Sequence, residues 1–536
     1  MRPHQFLVSL RLFCLGLITV WLAWALPARA LTPEDALALV EGGVSDRIET
    51  LNRLVTTHDE QAAVLIRAMA AREVQMLEGR VFIVGADGVR DAVSGAPAEL
   101  PEGAQEVMLN NRLRRALEGA LAGLDLIGAS PERQREAAAT LQQRAFDDPD
   151  AEMLPLIDRA LAGDLDGQAR QSLELAQAAV LLGSEDEQQR LEAAGKLGEA
   201  RQAVVRPLLQ QRIESESSDA VKAALRQSLA SLERSLQFSA ALAQIFSGVS
   251  LGSILLLAAL GLAITYGLMG VINMAHGELI MIGAYATWLV QVAFRQWLPD
   301  WFDWYLLAAM PMAFLVSALV GAAMERSVIR FLYGRPLETL LATWGLSLVL
   351  MQGVRSLFGA QNVGVENPAW MSGSVTLLGN LTLPWNRILI IVFAGIVLLG
   401  VALLIGRTRL GLFVRGVTQN RPIASCMGVN TARIDTYAFA LGSGIAGLAG
   451  CALSQIGNVG PDLGQNYIVD SFMVVVLGGV GQLAGTVYAA MGLGIFNKFL
   501  EGWAGAVLAK IAVLVFIVIF IQKRPQGIFA FKGREA

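Results

Sequence analysis

Asn273, His276 and Glu278 fall within six positions of GLMGVINMAHGELIMIGAY, residues 267–285, and apolar sequence runs on both sides of them. An amide, an imidazole and a carboxylate at this spacing can hydrogen-bond a polar solute, assist a proton transfer or shape a helix end. Hydrolysis inside a membrane would need a nucleophile or a metal pair, and His276 beside Glu278 is thin support for either. The other histidines are His4 and His58. Residues 31–237 contain no G-x-S-x-G, no H-E-x-x-H and no cluster of metal ligands. No catalytic residue and no metal site is assigned.

Two arrangements suit the polar stretch. In a tight turn between spans, Asn273 ends one helix, Gly277 supplies an unusual backbone angle and Glu278 favours the N-terminus of the next helix. In a discontinuous helix, polar side chains and free backbone face protein or a wet cavity within the membrane.

The elements that must position these residues are set by composition. The 536-residue chain is 54% hydrophobic and 16% charged, well below the roughly 25% charged of soluble domains. Charge is uneven: residues 1–235 hold 25 Lys+Arg against 35 Asp+Glu, and residues 236–536 hold 17 against 11. An acidic, water-facing part therefore precedes an apolar, cationic part, and no basic stripe points to nucleic acid. The cysteines, Cys14, Cys426 and Cys451, leave residues 31–425 without a disulfide framework.

MRPHQFLVSLRLFCLGLITVWLAWALPARA, residues 1–30, reads as a signal peptide ending in Ala28-Arg29-Ala30. Residues 31–237 read as an exported α-helical domain. Thr32 and Ser130 stand before prolines as N-caps, and Ser184 with Glu187 fits a capping box. Val221, Leu225, Leu229, Leu232 and Leu236 form one apolar stripe. Short helices from about 109 to 237 suggest stacked HEAT-like pairs, and VFIVGADGV (81–89) suggests a hairpin about Asp87-Gly88.

Residues 238–536 hold about nine apolar segments, at 247–269, 278–294, 305–324, 338–357, 387–405, 435–455, 468–480, 484–500 and 504–521. A regular crossing needs ~20 residues, so 468–480 is too short for one. The fold expected is all-α: a polytopic transmembrane domain behind the exported one. With residues 31–237 outside, twelve of the seventeen cations of this half fall on inner segments, as the positive-inside rule requires. Lys510 within the last span is expected to snorkel to the interface. The longest inner loop, residues 406–433, can form a short helix after Pro422 capped by Gly428. Such a helix suits docking of another chain, and the loop's arginines equally suit lipid headgroups. LGGVGQLAGT (477–486) has glycines but no lysine, so the chain lacks a P-loop.

The opening stretch resembles a family signature, Y-G-x-x-G-x-I-N-x-A-H-G-E-x-x-M-I-G-A/S-Y, of inner-membrane permeases of branched-chain amino acid ABC importers. Here it is carried by Tyr266, Gly267, Gly270, Ile272, Asn273, Ala275, His276, Gly277, Glu278, Met281, Ile282, Gly283 and Tyr285. The inner loop resembles that family's ATPase-docking segment at Ala424, Ser425, Gly428, Val429 and Asn430, with Arg421 just before it. The resemblance covers about 246–530, and the exported extension is similar to that of urea-type permease subunits.

The resemblance implies half of a translocation path in the bacterial inner membrane, surrounded by lipid. It also implies a second permease subunit, two cytoplasmic ATPase subunits that use ATP, and a periplasmic substrate-binding protein. No cofactor is expected on this chain itself. A neutral solute such as urea needs polar groups along its route. Asn273, His276 and Gln455 are candidates, with Glu278 orienting them or capping a helix, and no strong cationic site is expected. The rivals are a branched-chain amino acid permease and a membrane-anchored helical scaffold or sensor.

Overall fold

A computed structural model describes residues 31–536 apart from 56–58, 78, 86–87, 102, 127–129, 271–272, 378–380, 525–526 and 530–536. The signal peptide expected at 1–30 lies outside the described residues. The chain packs as two units, Met1–Leu236 and Gln237–Ala536.

The first unit contains α1 (Pro33–Glu41), α2 (Val44–Val55), α3 (Glu60–Ala70), α4 (Asn111–Leu126), α5 (Pro131–Asp147), α6 (Leu154–Ala162), α7 (Gly167–Leu181), α8 (Glu187–Glu199) and α9 (Val205–Ser215). Successive helices pack on one another, α4 on α5, α5 on α7 and α7 on α8. One apolar core runs from Leu39 and Leu51 to Leu209, Val221, Leu225 and Leu232. Each helix is too narrow to bury its stripe alone, so burial is shared between neighbours.

The Thr32 hydroxyl caps α1, accepting from the Asp35 N–H at 3.2 Å. Ser130 stands at the N-cap of α5 but makes no side-chain capping bond. The Ser184 box is displaced: Asp186 caps α8 through the Gln188 N–H at 2.9 Å, and Ser184 Oγ accepts from the Asp186 N–H. A carboxylate two residues nearer the helix outcompetes the hydroxyl. The hairpin of β2 (Arg80–Gly85) and β3 (Gly88–Asp91) is present, and β1 (Val74–Leu77) and β4 (Gln105–Glu106) extend it to a four-stranded antiparallel sheet ordered β3-β2-β1-β4.

The second unit is a helical bundle: α10 (Asp219–Met269, begun in the first unit), α11 (His276–Trp297), α12 (Tyr305–Ser327), α13 (Pro336–Phe358), α14 (Trp385–Arg407), α15 (Arg409–Gln419), α16 (Arg421–Cys426), α17 (Thr431–Ser454), α18 (Leu463–Gly478), α19 (Leu483–Ala504) and α20 (Ala506–Lys523). A small hairpin, β5 (Ser374–Leu377) with β6 (Leu381–Pro384), precedes α14. Eight helices among the described residues are long and apolar enough to cross a membrane, and α18, with 16 residues, is not.

The most enclosed helix is α17, packed against α11 and α12. Its small residues allow backbones to touch; a Cβ on Gly450 would stand 1.9 Å from the Ile280 carbonyl oxygen. Such contact replaces the hydrophobic driving force that lipid removes. By contrast α14 exposes Val392, Ile396, Leu399 and Leu403, spaced four, three and four apart as one lipid-compatible stripe.

Candidate functional site: a helix broken inside the bundle

The end of α10 is set by Gly270, whose φ of +65° suits glycine and reverses the chain. The next helix does not begin at the same depth. His276 Nε2 donates to the Ala258 carbonyl at 2.9 Å. Ala258 lies eleven residues before Met269, about 16 Å of helical rise. His276 therefore stands beside the middle of α10, and α11 starts well inside the bundle. The polar stretch thus lies at a break between α10 and α11, two helices each long and apolar enough to cross a membrane.

The break is held from several sides. Asn273 Oδ1 accepts from the Ala275 N–H at 3.0 Å. Thr343 Oγ1 of α13 accepts from the Met274 N–H at 3.2 Å, and Ser347 Oγ donates to Glu278 Oε1 at 2.9 Å. Ser317 Oγ of α12 donates to the Leu279 carbonyl at 3.0 Å. Gly277 meets the start of the short α18, where a Cβ would come within 2.5 Å of the Gly464 carbonyl oxygen. Asn273, His276 and Glu278 are all buried. Each keeps one polar atom without a partner among the described residues: Asn273 Nδ2, His276 Nδ1 and Glu278 Oε2.

Gln455 is placed elsewhere. It follows α17 and stands 3.3 Å from the Tyr305 hydroxyl, which donates to the Glu366 carbonyl at 2.6 Å. Gln291 donates to the same carbonyl at 3.1 Å. Gln291 is fifteen residues beyond His276 on α11, about 22 Å along the axis. The expected polar residues thus form two clusters. Sequence reading missed Thr339, Thr343 and Ser347, whose spacing of four on an apolar helix marks one polar face.

Around the inner loop the expected short helix is α16. Asn420 caps it by accepting from the Ile423 N–H at 3.0 Å, and Gly428, φ +84°, closes the turn after it. Asn430 caps α17 through the Arg433 N–H at 3.2 Å. Ala424 is buried, while Ile423, Ser425 and Met427 are exposed.

Arg421 is paired with the buried Asp435 of α17 and lies over the Tyr333 ring, 4.8 Å from its centroid. Tyr333 donates to Glu325 Oε1 at 3.2 Å, and Thr436 donates to Glu325 Oε2 at 2.6 Å. Arg330 completes this network at 3.3 Å from Glu325. Burial, then the Asp435 and Glu325 charges, push the Tyr333 phenol up, so it remains a donor. One linked set of side chains thus joins α16 to α12 and α17.

A cavity of about 410 Å³ opens between α10, α14, the segment after α17, α18, α19 and α20. Its lining includes Arg387, Asp470, Lys498, Glu501 and Lys510, so cationic groups are present and Lys510 borders a polar cavity.

Eight helices long and apolar enough to cross a membrane, with the shorter apolar α18 packed among them, are the architecture of a multi-pass membrane protein. Residues 244–522, just over half the chain, match the family model described as the branched-chain amino acid transport system permease component. The chain belongs to that family of ABC-type permeases, which are transport components and not enzymes.

Among its relatives, the high-affinity branched-chain amino acid transport system permease protein LivH of Salmonella typhimurium is 29% identical over 302 residues, covering 54% of this chain and 96% of LivH. BraD of Pseudomonas aeruginosa, described in the same words, is 27% identical over 293 residues, covering 54% and 95%. The fructose import permease protein FrcC of Rhizobium meliloti is 30% identical over 147 residues, covering 26% and 36%. No solved structure matches.

Proposed function

We propose that this chain is one permease subunit of an ATP-driven importer of urea, and that the break between α10 and α11, at Asn273, His276 and Glu278, is a moving part of its path. The observation that carries the reading is the break itself. Three buried side chains there retain unused hydrogen-bonding capacity, and a polar solute stripped of water loses ~2–7 kcal/mol per uncompensated group. Groups able to change partners offset that loss. The choice of urea is supported by the helical first unit, which lies outside residues 244–522 matched by the family model, together with the resemblance in sequence organisation to urea-type permeases.

In this reading the first unit faces the periplasm of a bacterial inner membrane and receives a substrate-binding protein. A second permease subunit completes the path. Two ATPase subunits meet the exposed side of α16, and the Arg421–Asp435–Tyr333–Glu325 network carries their closure to α12 and α17. The test is uptake by vesicles containing the full set of subunits, with labelled urea and labelled leucine in parallel. ATP-dependent urea entry that excess leucine does not suppress is expected. Entry of leucine without urea would overturn the substrate.

The second reading, a branched-chain amino acid permease, is favoured by the LivH and BraD matches and by the presence of both charge signs in the cavity beside α18.

A further inference from the structure

The cavity beside α18 contains charges in excess of what it needs for itself. Lys498 and Glu501 satisfy each other at 2.6 Å. Asp470, Arg387 and Lys510 line the same space and make no side-chain ion pair among the described residues. Asp470 is the eighth of sixteen residues in α18, and Lys510 is the fifth in α20, both within apolar helices. Hydrocarbon does not tolerate such groups, which face water, protein or a ligand. Asn458, Asn466 and Asn497 add amides to the wall. Ser250 of α10 is 1% exposed, lines the cavity, and its hydroxyl has no partner among the described residues.

We propose that this cavity is a solute-binding station of the permease, separate from the helix break, for a small molecule with paired N–H donors on one side and an oxygen acceptor on the other. This assignment rests on the reading of the chain as a permease, not on the choice of urea. A carboxylate accepts two parallel N–H groups side by side, as it does from a guanidinium. Asp470 takes that role, and Lys510 and Arg387 donate to the oxygen. Urea meets the pattern with two nitrogens and one carbonyl. An amino acid meets it with an ammonium and a carboxylate. The volume, about 410 Å³, admits either with some water.

The experiment uses the assembled complex in vesicles. Cys426 is exposed and Cys451 is buried, so a background with Cys14→Ser and Cys426→Ser, carrying Asn466→Cys, places one reporter thiol in the cavity wall. A water-soluble thiol reagent is added from the side where the cavity opens, with urea, leucine or neither. Labelling in the absence of solute, slowed at least fivefold by the solute the complex transports, is expected. Asp470→Asn is expected to shift the half-protecting concentration at least tenfold upward, each variant being read against its own unprotected labelling rate.

Protection by leucine alone would replace urea as the substrate and keep the station. An unlabelled thiol, or labelling that neither solute slows, would overturn the station whatever the complex transports. Protection unaffected by Asp470→Asn, Arg387→Gln and Lys510→Met would overturn it equally.

Discussion

Glu278 and Asp470 are both carboxylates within the helical bundle, and their surroundings are opposite. Glu278 is buried at a helix start, with Ser347 donating to one oxygen and glycine-to-glycine contact beside it. Asp470 borders an open cavity with cations and amides around it, within reach of the Lys510 charge but with no ion pair in contact among the described residues. The first arrangement ties α11 to α13 side chain to side chain, with the other carboxylate oxygen left without a partner among the described residues. The second keeps a charge available. A polar residue in an apolar span is thus one of two kinds, a strut or a station, and its partners decide which.

The strut side is broken most severely by filling the glycine contact. Gly277→Leu puts a Cβ 2.5 Å from the Gly464 carbonyl, a backbone atom that cannot swing aside. Overpacking costs about 1–3 kcal/mol where the surroundings adjust, and here the two helix starts themselves must separate. We expect at least a hundredfold loss of uptake and a reduced yield of assembled complex by size-exclusion chromatography. Wild-type behaviour would show that the close approach is not required.

Next in size is the ionic network. Removing one partner of a fully buried pair costs about 3–5 kcal/mol because a charge is left behind, and the cost here is smaller because Arg421 is 39% exposed although Asp435 is buried. Arg421→Gln leaves Asp435 without its partner, while Arg421→Gln with Asp435→Asn removes both charges. The single variant should lose at least tenfold in ATP-driven uptake, and the double variant should recover part of it. A double variant no better than the single one would show that Arg421 acts on the ATPase directly and not through α17.

Gly428→Pro addresses the same loop more locally. Proline fixes φ near −65°, whereas Gly428 stands at +84°. A severalfold loss of uptake with ATPase subunits still bound is expected in pull-down and uptake assays. Normal uptake would remove α16 from the coupling route.

The strut could be found from sequence because its residues fall within six positions: an amide, an imidazole and a carboxylate in one apolar stretch are conspicuous. Its depth was not legible, since only the His276–Ala258 bond shows that α11 restarts beside the middle of a span. The station was missed because Arg387, Asp470 and Lys510 lie on three helices up to 123 positions apart. Read singly, Lys510 is a residue that snorkels. In the first unit, β2–β3 was visible through its turn, whereas β4 has only two residues and is defined by pairing with β1. Apolar periodicity captured the helices well because each span obeys it along its own length. It says nothing of which polar faces meet.

The smallest effect tests the strut principle outside the membrane-spanning part. Glu216 in the first unit is a buried carboxylate with partners on every side. It accepts from the Ser217 and Ser218 N–H groups at 3.0 and 3.1 Å, with Arg190 and Arg212 at 3.2 and 3.3 Å. Burial alone would raise its pKa, but these backbone donors and then the two guanidinium groups hold it below the ordinary value of 4.5. A pKa lowered by folding contributes stability above 4.5, and that contribution fades as pH falls through the folded value. Glu216→Gln removes the charge and should cost about 2 kcal/mol at neutral pH, the scale of hydrogen bonds to a charged group. It should also flatten the acid response. Hydrogen exchange in α8 and α9 of the full chain, followed from pH 7 to pH 3, reads both effects. The wild type should lose protection below 4.5, and the variant should start lower and change less. Equal slopes would mean that Glu216 is replaceable as a strut, and that carboxylates elsewhere in the unit set its acid sensitivity.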